Sequence, residues 1–484
     1  MSATDPENFT YDVVVLGAGA VGENVADRAG RTGLSVAIVE SELVGGECSY
    51  WACMPSKALL RPGAVLAAAR AVRGAAQAVT GGVDGAAMLA WRDAVASDWD
   101  DQGQAAWLDG AGIDLVRGTA RFTGPRRLEV TGPDGSVRVL VAGSAVVIAT
   151  GSEPVIPDVA GLAESEPWTS REATSVQDIP ASLAIIGGGV VGVEMATAYA
   201  DLGTRVTLLV RGDRVLTSAE PFASEAVAAG LVALGVQVRF GADVTRVVRD
   251  DHGVRLTLAA GEAVVATQVL VAAGRRPSTT DLGLASIGLR PGDPLEVDDA
   301  LRVTGVADGW LYATGDVTGR VATTHQGKYD ARVAGDVIAA RFGQGGDAAA
   351  ADDASKWSRF RASADHEAVP QVVFTRPELA FVGLTEAAAR AAGYPVRVVQ
   401  LSLSSVAGAT VAGDGDPGSA SIVVDTDREI ILGATFVGPG VADLLHAATI
   451  AVVGQVPLGR LWHAVPAYPT LSEIWLRLLE AYGL

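Results

Sequence analysis

Two stretches of the chain repeat one pattern: a β-rich run ends in a glycine turn that opens straight into a helix. The first passes from Tyr11–Leu16 into Gly17-Ala18-Gly19-Ala20-Val21-Gly22, a helical stretch to about Thr32, and a strand Val36–Val39 closing on Glu40. The second passes from Leu183–Ile186 into Gly187-Gly188-Gly189-Val190-Val191-Gly192, a helix to about Leu202, and a strand Val206–Val210. A lone GxGxxG is weak, because 58 of the 484 residues are glycine. Between a strand and a helix, however, the turn lets backbone N–H groups and the helix N-terminus cradle a pyrophosphate. Two such units about 170 residues apart imply two nucleotide domains, the second inserted within the first.

The strand ends differ. Glu40 lies 18 residues beyond Gly22, where a carboxylate accepts hydrogen bonds from a ribose diol. The matching position after Gly192 is Val210, followed by Arg211 and then Arg214. An arginine there suits a 2′-phosphate by charge and by its bidentate fork, although a solvated strand-end arginine is the plainer alternative. The first site therefore reads as one for FAD, the second as one for NADPH, with NADH possible.

Further runs end in glycine turns at Val146–Gly151, Val269–Gly274 and Trp310–Asp316, and residues 343–354 read as a polar loop. Beyond it, Gln371–Phe374, Ile422–Val424 and Ile430–Val437 alternate with helical Thr385–Ala392 and Asp443–Val453, an antiparallel sheet with helices. The expected fold is α/β: two Rossmann-like domains and a C-terminal α+β domain. The net charge of -19 argues against nucleic acid. No apolar run reaches the ~18 residues of a membrane span, and MSATDPENFT lacks a signal-peptide pattern. The expectation is a cytoplasmic protein.

The two cysteines fall in one window, Gly45-Gly46-Glu47-Cys48-Ser49-Tyr50-Trp51-Ala52-Cys53-Met54-Pro55-Ser56-Lys57. Zinc needs about four ligands, and the chain has no other cysteine and no His-x3-5-His pair, so no metal site is expected. Buried structural thiols are the bland alternative. A pair five residues apart at a helix start can instead close a small strained disulfide, with the helix N-terminus lowering the thiolate pKa.

With these residues the sequence resembles the class I pyridine nucleotide-disulfide oxidoreductases, a family that includes dihydrolipoamide dehydrogenase, mercuric reductase and soluble transhydrogenase. The likeness covers nearly the whole chain: GAGAVG with Glu40, GGECSYWACMPSK, ATG ending at Gly151, GGGVVGVE ending at Glu194, AGRRP with Gly274, ATGD ending at Asp316, VVFTRPELAFVGLTE and YPTLSE. It implies an FAD-binding domain (1–160 and 283–350), an NAD(P)-binding domain (161–282) and a dimerisation domain (366–484) of a homodimer. Cys53 would be the flavin-facing, charge-transfer thiol and Cys48 the interchange thiol. Lys57 and Glu194 would pair near the flavin, and Asp316 would bind the ribityl chain. Gly17, Gly19, Gly22, Gly46, Ala120 and Gly151 would complete the FAD site, and Gly187, Gly189, Gly192, Arg211 and Gly274 the NADP site.

The pattern breaks at the C-terminus. Where the family's disulfide reductases carry a histidine as acid-base for the thiols, this chain has Tyr468, with Glu473 retained five residues on. A phenol of pKa ~10 is a poor proton shuttle at neutral pH; His463, five residues earlier, reads either as its substitute or as a helix-end or surface histidine. The substrate therefore stays open: a small-molecule or protein disulfide first, or else flavin-level transfer to a quinone or a second nicotinamide. His325 reads either as a donor to the flavin's pyrimidine edge or as a satisfied buried histidine. Tyr50 and Trp51 read as narrowing the substrate mouth, as stacking on an aromatic acceptor, or as packing.

Overall fold

The computed structural model describes residues 8–484; the reading of the extreme N-terminus falls largely outside the described residues. The chain forms two compact units, both discontinuous. One holds the residues through Met54, Ala96–Glu153 and Arg275–Asp365; the other holds Pro55–Val95, Pro154–Gly274 and His366–Leu484.

The first unit is built on a seven-stranded sheet. Its order is Ile113–Arg117, Val36–Glu40, Asn8–Leu16, Val137–Ile148, Arg127–Thr131, Thr119–Gly124, with Leu311–Ala313 added parallel against Val137–Ile148. The core of the sheet is parallel, and the successive side chains of Val13, Val14, Val15 and Leu16 are buried on opposite faces. Val13 and Val15 pack with Ala26 and Ala334, whereas Val14 and Leu16 pack with Phe122 and Trp310. Apolar residues at consecutive positions are what a strand covered on both faces requires.

Helix Ala20–Gly30 lies against the long helix Thr324–Phe342. The approach depends on two glycines: a Cβ at Gly327 would sit 2.7 Å from a Val21 methyl, and one at Gly335 would sit 2.4 Å from the Arg28 Cβ. Arg28 and Asp336 lock the contact with an ion pair at 2.7 Å. This packing fixes the start of the long helix, at Thr324.

The second unit contains the repeat of the nucleotide fold. Its parallel sheet runs Gln237–Phe240, Arg205–Val210, Ser182–Ile186, Gln268–Val271, with helix Val190–Asp201 leaving the glycine turn. A three-stranded antiparallel sheet covers Val244–Asp250, Gly253–Leu258 and Ala263–Ala266. The C-terminal sheet is five-stranded and antiparallel, in the order Gln371–Val373, Glu378–Gly383, Ile430–Gly438, Ser419–Asp425, Val396–Ser402. No helix among the described residues is long and apolar enough to cross a membrane.

Two sequence expectations need correction. Residues 343–354 contain a helical turn, Ala348–Asp352, whose Ala351 is buried in the first unit's core. The strand expected to begin near Val146 starts at Val137, because its early half completes an antiparallel meander.

Asp330, on the long helix, is fully buried beside Asp365. Gln326 donates to Asp365 at 2.6 Å, and Arg320 Nε lies 3.1 Å from it. Burial first, then the neighbouring Asp365, push the Asp330 carboxyl from 3.8 up to about 8. The folded chain therefore keeps a proton that the unfolded chain gives up, and stability falls as pH climbs between those two values. Asp330→Asn removes this titration. Relative to the parent, the variant is expected to gain melting temperature between about pH 5 and about pH 9; parallel curves would refute the assignment.

Candidate functional site

In the first unit the glycine turn is closed by sterics. Gly17 has φ +94°, and a Cβ on Gly22 would lie 1.8 Å from the Gly17 carbonyl oxygen. The Gly17 N–H donates to the Val39 carbonyl at 2.9 Å. Glu40 braces the turn: one carboxylate oxygen accepts from the Ala18 N–H at 2.7 Å, the other from the Glu42 N–H at 2.8 Å. Burial raises this carboxyl above its ordinary range. Gly46 packs backbone to backbone on the same turn, since its Cβ would come within 2.9 Å of the Gly19 Cα. The short helix Gly46–Tyr50, which carries Cys48, is thereby seated on the turn.

Around Asp316 the first unit forms a polar chain. Ser152 donates to Asp316 at 2.6 Å, Arg275 donates to the Ser152 hydroxyl at 2.8 Å, and Arg275 also lies 3.7 Å from Glu47. Gly151 takes φ +70° ahead of this chain. Ala120 is buried on strand Thr119–Gly124 within the apolar core. His325 is exposed, which corrects its reading as a buried histidine.

The two sulfurs sit side by side, half-buried and not joined in a disulfide. The Cys48 thiol is pushed up strongly, first by its hydrogen bond with Cys53, then by burial and by the charge that Cys53 can carry; Thr324 and Lys328 act in the opposite direction. The Thr324 hydroxyl lies 3.1 Å from the Cys53 sulfur. Tyr50 does not line a mouth. It is 1% exposed, and its hydroxyl meets the Val44 carbonyl at 3.0 Å and the Gln104 side chain, so its ring is core.

In the second unit Lys57 Nζ donates to Glu194 at 2.7 Å, and Glu194 is 3% exposed. The other Glu194 oxygen accepts from the Phe374 N–H at 3.0 Å, and the ammonium lies 5.1 Å from the Phe374 ring centroid. The second glycine turn repeats the geometry of the first. Gly187 has φ +120°, a Cβ on Gly192 would lie 2.0 Å from the Gly187 oxygen, and Gly189 faces open space. Val210 is buried, Arg211 is exposed at the strand end, and Gly274 takes φ +125°.

Tyr468 is 78% exposed and His463 is exposed too. Glu473 is buried; one oxygen accepts from the N–H groups of Thr470 and Gly408, both at 3.2 Å. Sequence reasoning missed Thr324 and Phe374. Thr324 adjoins the His325 that drew attention but lies 271 residues from Cys53; Phe374 contributes a backbone N–H, which leaves no side-chain signature.

A family model described as pyridine nucleotide-disulphide oxidoreductase matches residues 11–331, and one described as that family's dimerisation domain matches residues 369–478. The dihydrolipoyl dehydrogenase of Thermus scotoductus is 33% identical over 479 residues, spanning 98% of this chain and 97% of its own. A mercuric reductase of Staphylococcus aureus is 30% identical, spanning 96% and 81%. Among solved structures, the Cu(II) complex of the HOCl-induced flavoprotein disulfide reductase RclA from Escherichia coli has a TM-score of 0.83 at 25% identity, covering 98% of this chain and 99% of its own. LpdA from Mycobacterium tuberculosis has a TM-score of 0.81 at 25% identity, with the same coverage.

Lys57→Met would strand the Glu194 carboxylate with a single backbone donor. It is expected to cost about 2 kcal/mol, discounted from the cost of a fully buried pair because Lys57 is itself half-exposed. The double variant Lys57→Met/Glu194→Gln should recover part of the loss in thermal unfolding; additive losses would count against the pairing.

Proposed function

The chain belongs to the pyridine nucleotide-disulphide oxidoreductase family, and on that premise we propose that it carries electrons from NADPH, by way of FAD, to a Cys48–Cys53 disulfide and on to a disulfide substrate. The observation that carries this reading is the hydrogen-bonded thiol pair, seated by Gly46 on the first glycine turn. The first unit's residues fit a flavin dinucleotide: the turn excludes any side chain at Gly17, Gly22 and Gly46, so backbone is what a pyrophosphate would meet. Gly17, Gly19 and Gly22 would hold the pyrophosphate, Glu40 the ribose and Asp316 the ribityl chain. When bound, the flavin supplies a two-electron relay between nicotinamide and sulfur.

In the reductive half, two electrons break the sulfur–sulfur bond; uptake of one proton leaves Cys48 and Cys53 as a thiol and a thiolate, and a second proton makes both thiols. In the oxidative half, Cys48 attacks the substrate disulfide, and Cys53 then displaces the mixed disulfide, releasing two substrate thiols and restoring the Cys48–Cys53 bond. Cys48 suits the interchange role because its raised pKa keeps its proton until it is drawn off. Lys57, neutralised by Glu194, would provide a fixed positive charge at little desolvation cost. Arg211, exposed beyond buried Val210, would grip a 2′-phosphate and so favour NADPH over NADH.

The family's dimerisation domain spans 369–478, and within it Ile450, Trp462, Val465 and Tyr468 are exposed apolar or aromatic side chains. A homodimer that covers this face and completes each active site with Tyr468 and Glu473 is part of the proposal, as is a cytoplasmic setting. A second reading is favoured by Tyr468 itself. With a phenol in place of imidazole, Tyr468 would be a poor acid-base for the thiols, which favours a quinone or a second nicotinamide over a disulfide as the electron acceptor.

Anaerobic titration decides the main reading. The oxidised parent is expected to develop long-wavelength absorbance with the first molar equivalent of NADPH, and Cys53→Ser to consume about one equivalent without it. Bleaching of the parent's flavin by the first equivalent, with no long-wavelength absorbance, would sink the disulfide step. Tyr468→His should raise disulfide turnover at least ~10-fold and leave quinone reduction unchanged if proton transfer is limiting. Arg211→Ala should raise the KM for NADPH about 10-fold and spare NADH; equal effects on both cofactors would refute the 2′-phosphate assignment.

A further inference from the structure

Three groups meet at one sulfur. Cys53 is the first residue of the 19-residue helix Cys53–Ala71, and Thr324 is the first residue of the 19-residue helix Thr324–Phe342. The Thr324 hydroxyl is 3.1 Å from the Cys53 sulfur, and the Cys48 thiol hydrogen-bonds with Cys53 from a third element. The cap position ahead of the long helix is taken by Thr323, whose side chain makes no capping bond, so the hydroxyl on Cys53 belongs to the residue inside the helix. Glycine packing along that helix fixes where its first turn begins.

We propose that Thr324 is a positioning residue that holds Cys53 as the thiolate of the reduced pair. This rests on the reading of Cys48 and Cys53 as a redox pair. A neutral thiol sulfur is a weak acceptor, whereas a thiolate is a strong one, so a hydroxyl fixed at that distance favours the charged form. The starts of two long helices add the positive ends of their dipoles on the same side. Thr324 reaches both sulfurs, 3.1 Å from Cys53 and hydrogen-bonded to Cys48; with Cys48 keeping its proton and donating to Cys53, the Thr324 O–H serves the Cys53 thiolate. Lys328, one turn beyond Thr324, acts on Cys48 with a favourable field. Glu47 lies 3.7 Å from Arg275, and Lys57, one turn along from Cys53, is paired with Glu194.

The chain has two cysteines, so Cys48→Ser leaves Cys53 as the sole thiol. In that background, on the FAD-loaded protein, the rate of Cys53 alkylation by iodoacetamide is followed against pH by mass spectrometry for Thr324, Thr324→Val and Thr324→Ser. The midpoint is expected to rise by about one unit in Thr324→Val and to stay near the parent value in Thr324→Ser. Thr324→Ala provides a second hydroxyl-free variant with less branching at the helix start. In the chain with both cysteines, the pH at which long-wavelength absorbance of the NADPH-reduced protein is lost should move in the same direction. A valine midpoint equal to the parent's, or a serine midpoint equal to valine's, overturns the proposal. Alkylation is read without NADPH, so failure of NADPH to reduce the pair would defeat the electron-path reading while the Thr324 comparison stays decisive.

Discussion

The carbonyl oxygen of Gly17 leaves no room for a methyl group on Gly22, and the carbonyl oxygen of Gly187 leaves none on Gly192. That steric closure is the constraint on which the rest of the structure depends. It forces the chain from a buried strand into a helix within a few residues, so that backbone rather than side chain is presented at the turn. In the first unit one further glycine, Gly46, lays the cysteine helix directly on this surface. The chemistry follows from how closely bare backbone can approach bare backbone.

The sulfur pair shows how little charge is needed once positions are fixed. Two thiols in contact cannot ionise with equal ease, since a charge on one raises the cost of a charge on the other. The asymmetry comes from the balance of what touches them: the Thr324 hydroxyl lies 3.1 Å from the Cys53 sulfur, while Cys48, although Thr324 reaches it too, is held up by Cys53 and by burial. The same economy governs Lys57 and Glu194, where a carboxylate 3% exposed is matched by an ammonium and one backbone N–H.

Much of this was legible in the sequence, and the parts that were not have identifiable causes. Both strand–turn–helix–strand units lie where the glycines place them, because a turn of that kind admits few alternatives. Val36–Glu40 and Arg205–Val210 end within a residue of expectation. The Lys57–Glu194 pair was legible through the family likeness. For Tyr50 the sequence left a substrate mouth, stacking and packing all open, because an aromatic between two cysteines suits each; the short helix turns its ring inward toward Val44 and Gln104, so packing holds. Ala348–Asp352 was missed because its alanines are set among glycine and aspartate, and the burial of Ala351 depends on tertiary packing. Thr324 could not be found by spacing, since nothing local links it to a cysteine so far away in the chain.

The edge-on addition of Leu311–Ala313 to Val137–Ile148 has a consequence for biogenesis. As the ribosome extrudes the polypeptide, the nascent sheet carries an incomplete margin while the whole inserted nucleotide repeat is being synthesised, and it gains its last parallel partner only afterwards. Non-local parallel pairing is slow to form and leaves hydrogen-bonding backbone open to wrong partners. The interruption of one domain by another therefore sets a temporal order, in which the interposed segment matures before its host is sealed.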